Sequence, residues 1–383
     1  MAQPHAGRAR ATARSPGWLP GGCKYHRDSM GRQGRYGPCC PAGGRPRRCG
    51  ARRGTPARGG GWGTKAGGKG MEGMALKRAS SPPHIHAGRT VRGVMLEVTV
   101  ALVPAGAFGV YSFGWRALLV VAVSVASAVI WEWLYTRIAR KPCTVGDLSA
   151  VVTGLLLAYC LPATVPLWLP AVGTLLAIVL VKMAFGGLGA NFVNPALTAR
   201  AILMASWVGH MSGAAYSTAV RGVDAISGAT PLAAGGSYSL GQLLAGQCPG
   251  CIGEVGRVAI LVGGIYLMVR KVISWRVPVL MLGTLFACTW LAEGSAYAGL
   301  YAILSGGAFL AAFFMATDYA TSPVAPAGKV AMGVGCGLIT FVIRRFSSMP
   351  EGVSYAVLFM NLTVPLADRY VRPRVYGEAK KRA

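Results

Sequence analysis

The chain runs to 383 residues, 53% of them hydrophobic and only 13% charged, with 39 Lys and Arg against 12 Asp and Glu for a net charge of +27. Soluble domains carry about a quarter charged residues; here long stretches carry almost none, which excludes a soluble globular enzyme and describes a polytopic membrane protein. The positive charge does not point to nucleic acid, because it is collected in one N-terminal segment and in short loops between apolar runs, and no reading motif accompanies it.

Residues 1–70 are rich in Gly, Arg, Pro and Ala, with Asp28 as the only acid. They show no periodicity, cannot bury a core and lack the apolar stretch of a signal peptide. Cys23, Cys39, Cys40 and Cys49 lie there without metal-site spacing. Three readings compete: a solvated basic tail, a binder of anionic lipid or nucleic acid, or a stretch that is not translated. The composition changes abruptly near Met71 and Met74, which favours a start there. Residues 71–93 read as a cytoplasmic lead-in, 94–370 as the transmembrane domain and 371–383 as a basic cytoplasmic tail.

Ten apolar runs follow, at 94–113, 115–135, 148–161, 165–185, 195–208, 254–269, 277–291, 298–316, 330–343 and 353–367. They predict an all-α membrane protein of about ten spans, several short enough to be tilted, re-entrant or broken. Basic residues before the first run (Arg89, Arg92), after the second (Arg137, Arg140, Lys141), after the sixth (Arg270, Lys271, Arg276) and after the tenth all fall on one side. That side is the cytoplasmic one by the distribution of positive charge. Arg344 and Arg345 are the exception. Both termini are then cytoplasmic, and the long loop 209–253 faces outward.

That loop carries Val-Asp-Ala-Ile-Ser-Gly-Ala-Thr-Pro, in which Thr230 stands among Ser227, Gly228, Ala229 and Pro231 with almost no bulk around it. Small neighbours let another molecule approach the backbone, and Pro231 stiffens the exit. Gly and Ser are also ordinary turn formers, so the motif alone decides nothing.

Other candidates are weighed the same way. Arg200, about five residues into the fifth run, either meets a phosphate, a lipid head group or a carboxylate, or snorkels to the inner surface. The stretch 186–195, Gly-Gly-Leu-Gly-Ala-Asn-Phe-Val-Asn-Pro, is neither a Walker loop nor a dinucleotide fingerprint. It reads as a helix start with Asn194 as cap and Pro195 first, ahead of a polar cavity lining. Glu97, Glu132, Asp147, Asp318 and Asp368 are the acids near spans, Glu132 the most apolar in setting. Cys248 and Cys251 form a Cys-x-x-Cys that an oxidising compartment would close; no histidine stands nearby for zinc. The remaining cysteines read as packing residues.

A faint echo pairs 150–159 with 302–313 and 180–189 with 341–350. Five spans per half would make two inverted repeats, against chance similarity between Gly/Ala-rich helices.

Ser-Ser-Pro-Pro-His-Ile at 80–85, Phe-Gly-Gly-Leu-Gly-Ala-Asn-Phe-Val-Asn-Pro-Ala-Leu-Thr-Ala-Arg at 185–200, Asp-Ala-Ile-Ser-Gly-Ala-Thr-Pro-Leu-Ala at 224–233, Phe-Phe-Met-Ala-Thr-Asp-Tyr-Ala-Thr-Ser-Pro-Val at 313–324 and Pro-Glu-Gly-Val-Ser-Tyr-Ala-Val-Leu-Phe-Met-Asn at 350–361 resemble the RnfD family, the D-type subunits of the Rnf electron-transport complex. That family is homologous to NqrB, the B-type subunit of the sodium-pumping NADH:quinone reductase and the nearer rival; a channel without redox role is the farther one. The resemblance implies that Thr230 carries covalent FMN through a phosphoester. Asp224, Ser227, Gly228, Ala229 and Arg200 are then candidate flavin contacts, and riboflavin a second, non-covalent cofactor. It implies a membrane subunit, not catalytic alone, relaying electrons between ferredoxin and NAD chemistry and coupling them to sodium-ion or proton export. Its partners would be the other Rnf subunits and the bilayer of a bacterial inner membrane, with no metal in this chain and neither NAD nor ferredoxin bound by it.

Overall fold

The computed structural model describes residues 89–211, 216, 230–232, 238–347 and 352–371. The chain divides into Met1–Ser80 and Ser81–Ala383, and every described residue belongs to the second unit. The readings made on 1–70, on most of 71–93 and on 372–383 lie outside the described residues.

The described residues are helical, with no strand among them. The helices are α1 (Val91–Phe113), α2 (Trp115–Ile138), α3 (Ser149–Tyr159), α4 (Trp168–Met183), α5 (Pro195–Ser206), α6 (Leu240–Ala245), α7 (Arg257–Val269), α8 (Arg276–Glu293), α9 (Ala296–Leu304), α10 (Ala308–Met315), α11 (Pro326–Phe346) and α12 (Gly352–Tyr370). A helix stands at each of the ten apolar runs. Four of them, α1, α2, α8 and α11, are long and apolar enough to cross a membrane, and α9 with α10 makes a fifth candidate bent by 71°. Only 28–33% of the apolar windows of those four is buried. Such bare faces, with Val103, Ile130, Leu291 and Leu338 exposed along them, require lipid.

Local chemistry sets the ends. Thr90 caps α1, its hydroxyl accepting from the Gly93 amide at 3.2 Å. Gly114, at φ 77°, is the sole residue between α1 and α2; a side chain there would be strained. Asn194 caps α5 as the sequence predicts, accepting from the amides of Ala196 and Leu197 at 3.1 and 3.2 Å, with Pro195 in the first turn. Ser239 and Gln242 close a capping box on α6, inside what the sequence reads as loop. The sixth run starts later than predicted: the helix begins at Arg257, and Glu254 stays in a buried connection.

Two segments, Leu176–Met183 and Ala311–Met315, are wound with the wider five-residue hydrogen bond, visible as Ala184 to Val179 at 3.0 Å and Ala316 to Ala311 at 2.8 Å. Such windings concentrate at functional sites. The core runs between them: Leu102, Leu157, Leu161, Leu169, Leu197, Leu203 and Ile260 are almost wholly buried in it. Main contacts are α1 on α7, α2 on α3, and α8 and α12 on α11. The α1–α7 contact is close enough that a Cβ on Gly263 would lie 2.2 Å from the Ala101 carbonyl oxygen, the small-residue packing expected in lipid.

Candidate cofactor site

The described part of the predicted motif is Thr230, Pro231 and Leu232; Asp224, Ser227, Gly228 and Ala229 lie outside the described residues. Thr230 is 6% exposed, and its hydroxyl is buried without a hydrogen-bond partner among the described residues. Leaving such a group unpaired costs about 1–3 kcal/mol, so a hydroxyl kept in this state calls for another partner. The Tyr301 hydroxyl donates to the Pro231 carbonyl at 3.0 Å, and Leu232 packs on Gly306, where a Cβ would lie 2.8 Å from its Cδ1.

Pro231 and Leu232 form one wall of a cavity of about 370 Å³, closed by Thr289 and Glu293 of α8, Tyr297 and Tyr301 of α9, and Phe341, Arg344 and Arg345 of α11. The volume falls in the range of small-molecule sites. Its shape comes from the break after α9. Gly306, at φ 64°, ends the helix, which frees carbonyls that no amide of the helix can reach. Arg344 takes them, donating to the oxygens of Ala302 at 2.6 Å and Ser305 at 3.1 Å. The two arginines that break the charge distribution thus lie beside the Thr230 segment. A buried hydroxyl, a cavity next to it and two guanidinium groups fit a phosphoester-linked FMN at Thr230.

Tyr301→Phe removes the bond to Pro231 and is expected to cost about 0.5–1.5 kcal/mol. A thermal midpoint in detergent, read by tryptophan fluorescence, should fall by a few degrees; an unchanged midpoint would show that the segment is held by other contacts.

Arg200 does not snorkel. It is 5% exposed, donates to Ser354 Oγ at 3.1 Å and Cys251 Sγ at 3.6 Å, and lies 3.8 Å from Glu254. Of the partners proposed for it, the structure supplies the carboxylate. Arg200, Glu254 and Arg344 line one chamber of about 10 Å³, room for a single water. Cys248 and Cys251 are free thiols, not the disulfide that an oxidising compartment would make. Their sulfurs turn to different groups: Cys248 accepts from Arg257 at 3.3 Å, and Cys251 donates to the Cys160 carbonyl at 3.1 Å. Burial pushes the Cys251 thiol well up.

A second polar cluster surrounds Glu132, which is fully buried in α2. Lys182 of α4 reaches its carboxylate at 2.7 Å and Ser149 Oγ at 2.7 Å, and Thr144 donates to the other carboxylate oxygen. Lys182 was not among the predicted candidates, although a lysine inside an apolar run is the signal that reveals it. Asn191, Asn194 and Asp318 share a small cavity with Lys182, so the glycine-rich entry lines a polar space as well as starting a helix. Burial raises the Asp318 carboxyl, which accepts from Thr321 at 3.3 Å. The other acids are peripheral: Glu97 pairs with Arg270 at 2.7 Å, Asp368 accepts from the Val324 amide at 3.2 Å, and Asp147 lies in a single helical turn before α3. A further cavity, about 310 Å³ and mostly apolar, opens between the start of α1, Leu188 and Tyr319.

Residues 78–377 match the profile of the NQR2, RnfD, RnfE family. The chain belongs to that family. It is 45% identical over 309 residues, 79% of this chain and 95% of the relative, to the D-type subunit of the Na(+)-translocating ferredoxin:NAD(+) oxidoreductase complex of Acetobacterium woodii. It is 38% identical to the D-type subunit of the proton-translocating ferredoxin:NAD(+) oxidoreductase complex of Clostridium ljungdahlii, over 78% of this chain and 95% of that one. Against the D-type subunit of an Escherichia coli ion-translocating oxidoreductase complex the figures are 35%, 79% and 99%. The resemblance drawn from the five motifs is thereby established at the level of the family.

Proposed function

We propose that this chain is the D-type membrane subunit of an ion-translocating ferredoxin:NAD oxidoreductase, holding FMN on Thr230. The relatives' names support the complex, and the carrying observation for the cofactor is the buried Thr230 hydroxyl without a partner, beside a cavity with two arginines. When bound, FMN supplies one- and two-electron transfer. The chain's own residues do the rest: Thr230 provides the oxygen for the phosphoester, Tyr301 pins the following peptide, and Arg344 holds open the break that forms the cavity wall. Asp224, Ser227, Gly228 and Ala229 complete the approach to that oxygen in this reading, and Arg200 acts one layer deeper through Glu254.

The chain is part of an oxidoreductase and catalyses nothing alone; the soluble partners of the complex would bind ferredoxin and NAD. Ten crossings in two inverted halves, cytoplasmic termini and an outward Thr230 loop in a bacterial inner membrane complete the reading. The coupled ion is sodium or the proton. Riboflavin, the second flavin of this reading, would take the apolar cavity of about 310 Å³ at the start of α1.

The test is direct. Denatured protein should fluoresce in a gel, and the peptide containing Thr230 should weigh more by FMN less one water. Thr230→Ala should lose both signals while the protein still inserts, and Thr230→Ser should retain some. A Thr230 peptide of unmodified mass from protein made with its native flavin-attachment machinery would overturn the cofactor assignment.

A further inference from the structure

We propose that the cavity bounded by α8, α9 and α11 seats the flavin ring tethered at Thr230, with the Tyr297–Tyr301 face as its stacking platform and Arg345 beside its phosphate. The inference rests on the FMN assignment above and adds where the ring lies. Three observations carry it. The first is continuity: Pro231 and Leu232, the two residues after Thr230, are themselves walls of the cavity, so the attachment point is adjacent in the chain to its lining. The second is the lining. Tyr297 and Tyr301 stand one helical turn apart with ring centroids at 6.4 Å and planes 29° apart, and Phe341 lines the same space. A planar aromatic ring system finds there the offset-stacked arrangement that aromatic pairs prefer. Tyr297 is half exposed, and the Tyr301 hydroxyl is engaged by Pro231, which fixes its ring.

The third observation is charge. Among the described residues, two guanidinium groups face the cavity against the single carboxylate of Glu293. Arg344 spends two of its donors on Ala302 and Ser305, and its Nε–H is buried without a partner among the described residues. Arg345 is exposed at the rim. A phosphodiester carries one negative charge and acceptor oxygens suited to guanidinium donors. A lipid head group would offer the same phosphate, but an acyl chain would have no use for the tyrosine pair, and it would not depend on Thr230.

The experiment uses the assembled complex with its flavin attached. A tyrosine ring against an excited flavin quenches it by electron transfer, so the folded protein should show a short fluorescence lifetime that lengthens on denaturation. Tyr297→Leu should lengthen the lifetime of the Thr230-linked flavin in the folded protein at least twofold. Tyr370→Leu, at an exposed helix end, should leave it unchanged. Arg345→Gln should lower the fraction of protein carrying covalent flavin at least twofold at equal membrane abundance. If the unsubstituted protein carries no flavin on Thr230, the FMN assignment fails. If it carries flavin and Tyr297→Leu leaves the lifetime unaltered, the assignment stands and the stacking platform is overturned. Unchanged loading in Arg345→Gln overturns the phosphate contact. A phospholipid that co-purifies equally with Thr230→Ala and the parent protein, and is lost in Arg345→Gln, would give the cavity to lipid.

Discussion

Lys182→Met is expected to destabilise the membrane domain by about 3–5 kcal/mol, the range for removing one partner of a buried ion pair. Glu132 is fully buried and Lys182 2% exposed, and the ammonium group stands 2.7 Å from the carboxylate. Thr144 is left as the carboxylate's remaining hydrogen-bond donor. The carboxylate would be left as a buried charge without its counter-ion, which is the source of the loss. Lys182→Met with Glu132→Gln should recover most of the loss, because the amide is neutral and still accepts from Thr144. Thermal unfolding and monodispersity in detergent read both variants. A single variant as stable as the parent would mean that the pair is open to water in the membrane.

Gly263→Ala should be nearly as damaging, for a different reason. The new methyl would lie 2.2 Å from the Ala101 carbonyl oxygen and 3.3 Å from the Phe314 ring. The first contact is with backbone of α1, so no rotamer change relieves it, and α1 and α7 must separate. Overpacking of this kind costs about 1–3 kcal/mol where side chains can adjust; with backbone on the other side, the upper end is expected. Gly283→Ala supplies the control. It lies in α8 with nothing within 4 Å of the added carbon, and should be neutral or gain up to about 1 kcal/mol from helix propensity. Equal thermal midpoints for the two variants would remove the packing argument.

The helices were legible in the sequence because apolar runs are long-range statistics that a few misplaced residues do not spoil. The N-cap at Asn194 was legible for a local reason, a side-chain acceptor followed by a proline. What the runs hid was their interruption. Residues 298–316 read as one span, yet the chain bends there by 71°, because Gly306 takes a positive φ and Arg344, some forty residues on in sequence, stabilises the exposed carbonyls. No local pattern announces a partner that far away. The same distance hid Lys182 as the partner of Glu132 and Glu254 as that of Arg200: each was visible as an ionisable residue in or beside an apolar run, but pairing is a property of the packed bundle. Arg344 and Arg345, awkward for orientation when read from charge alone, become intelligible once one of them is seen to tie the broken helix.

That tie has a wider consequence. Arg344 lines both the larger cavity and the small chamber holding Glu254 and Arg200, so one guanidinium group borders both compartments. A charge placed in the cavity therefore acts on a group that also borders Glu254 and Arg200.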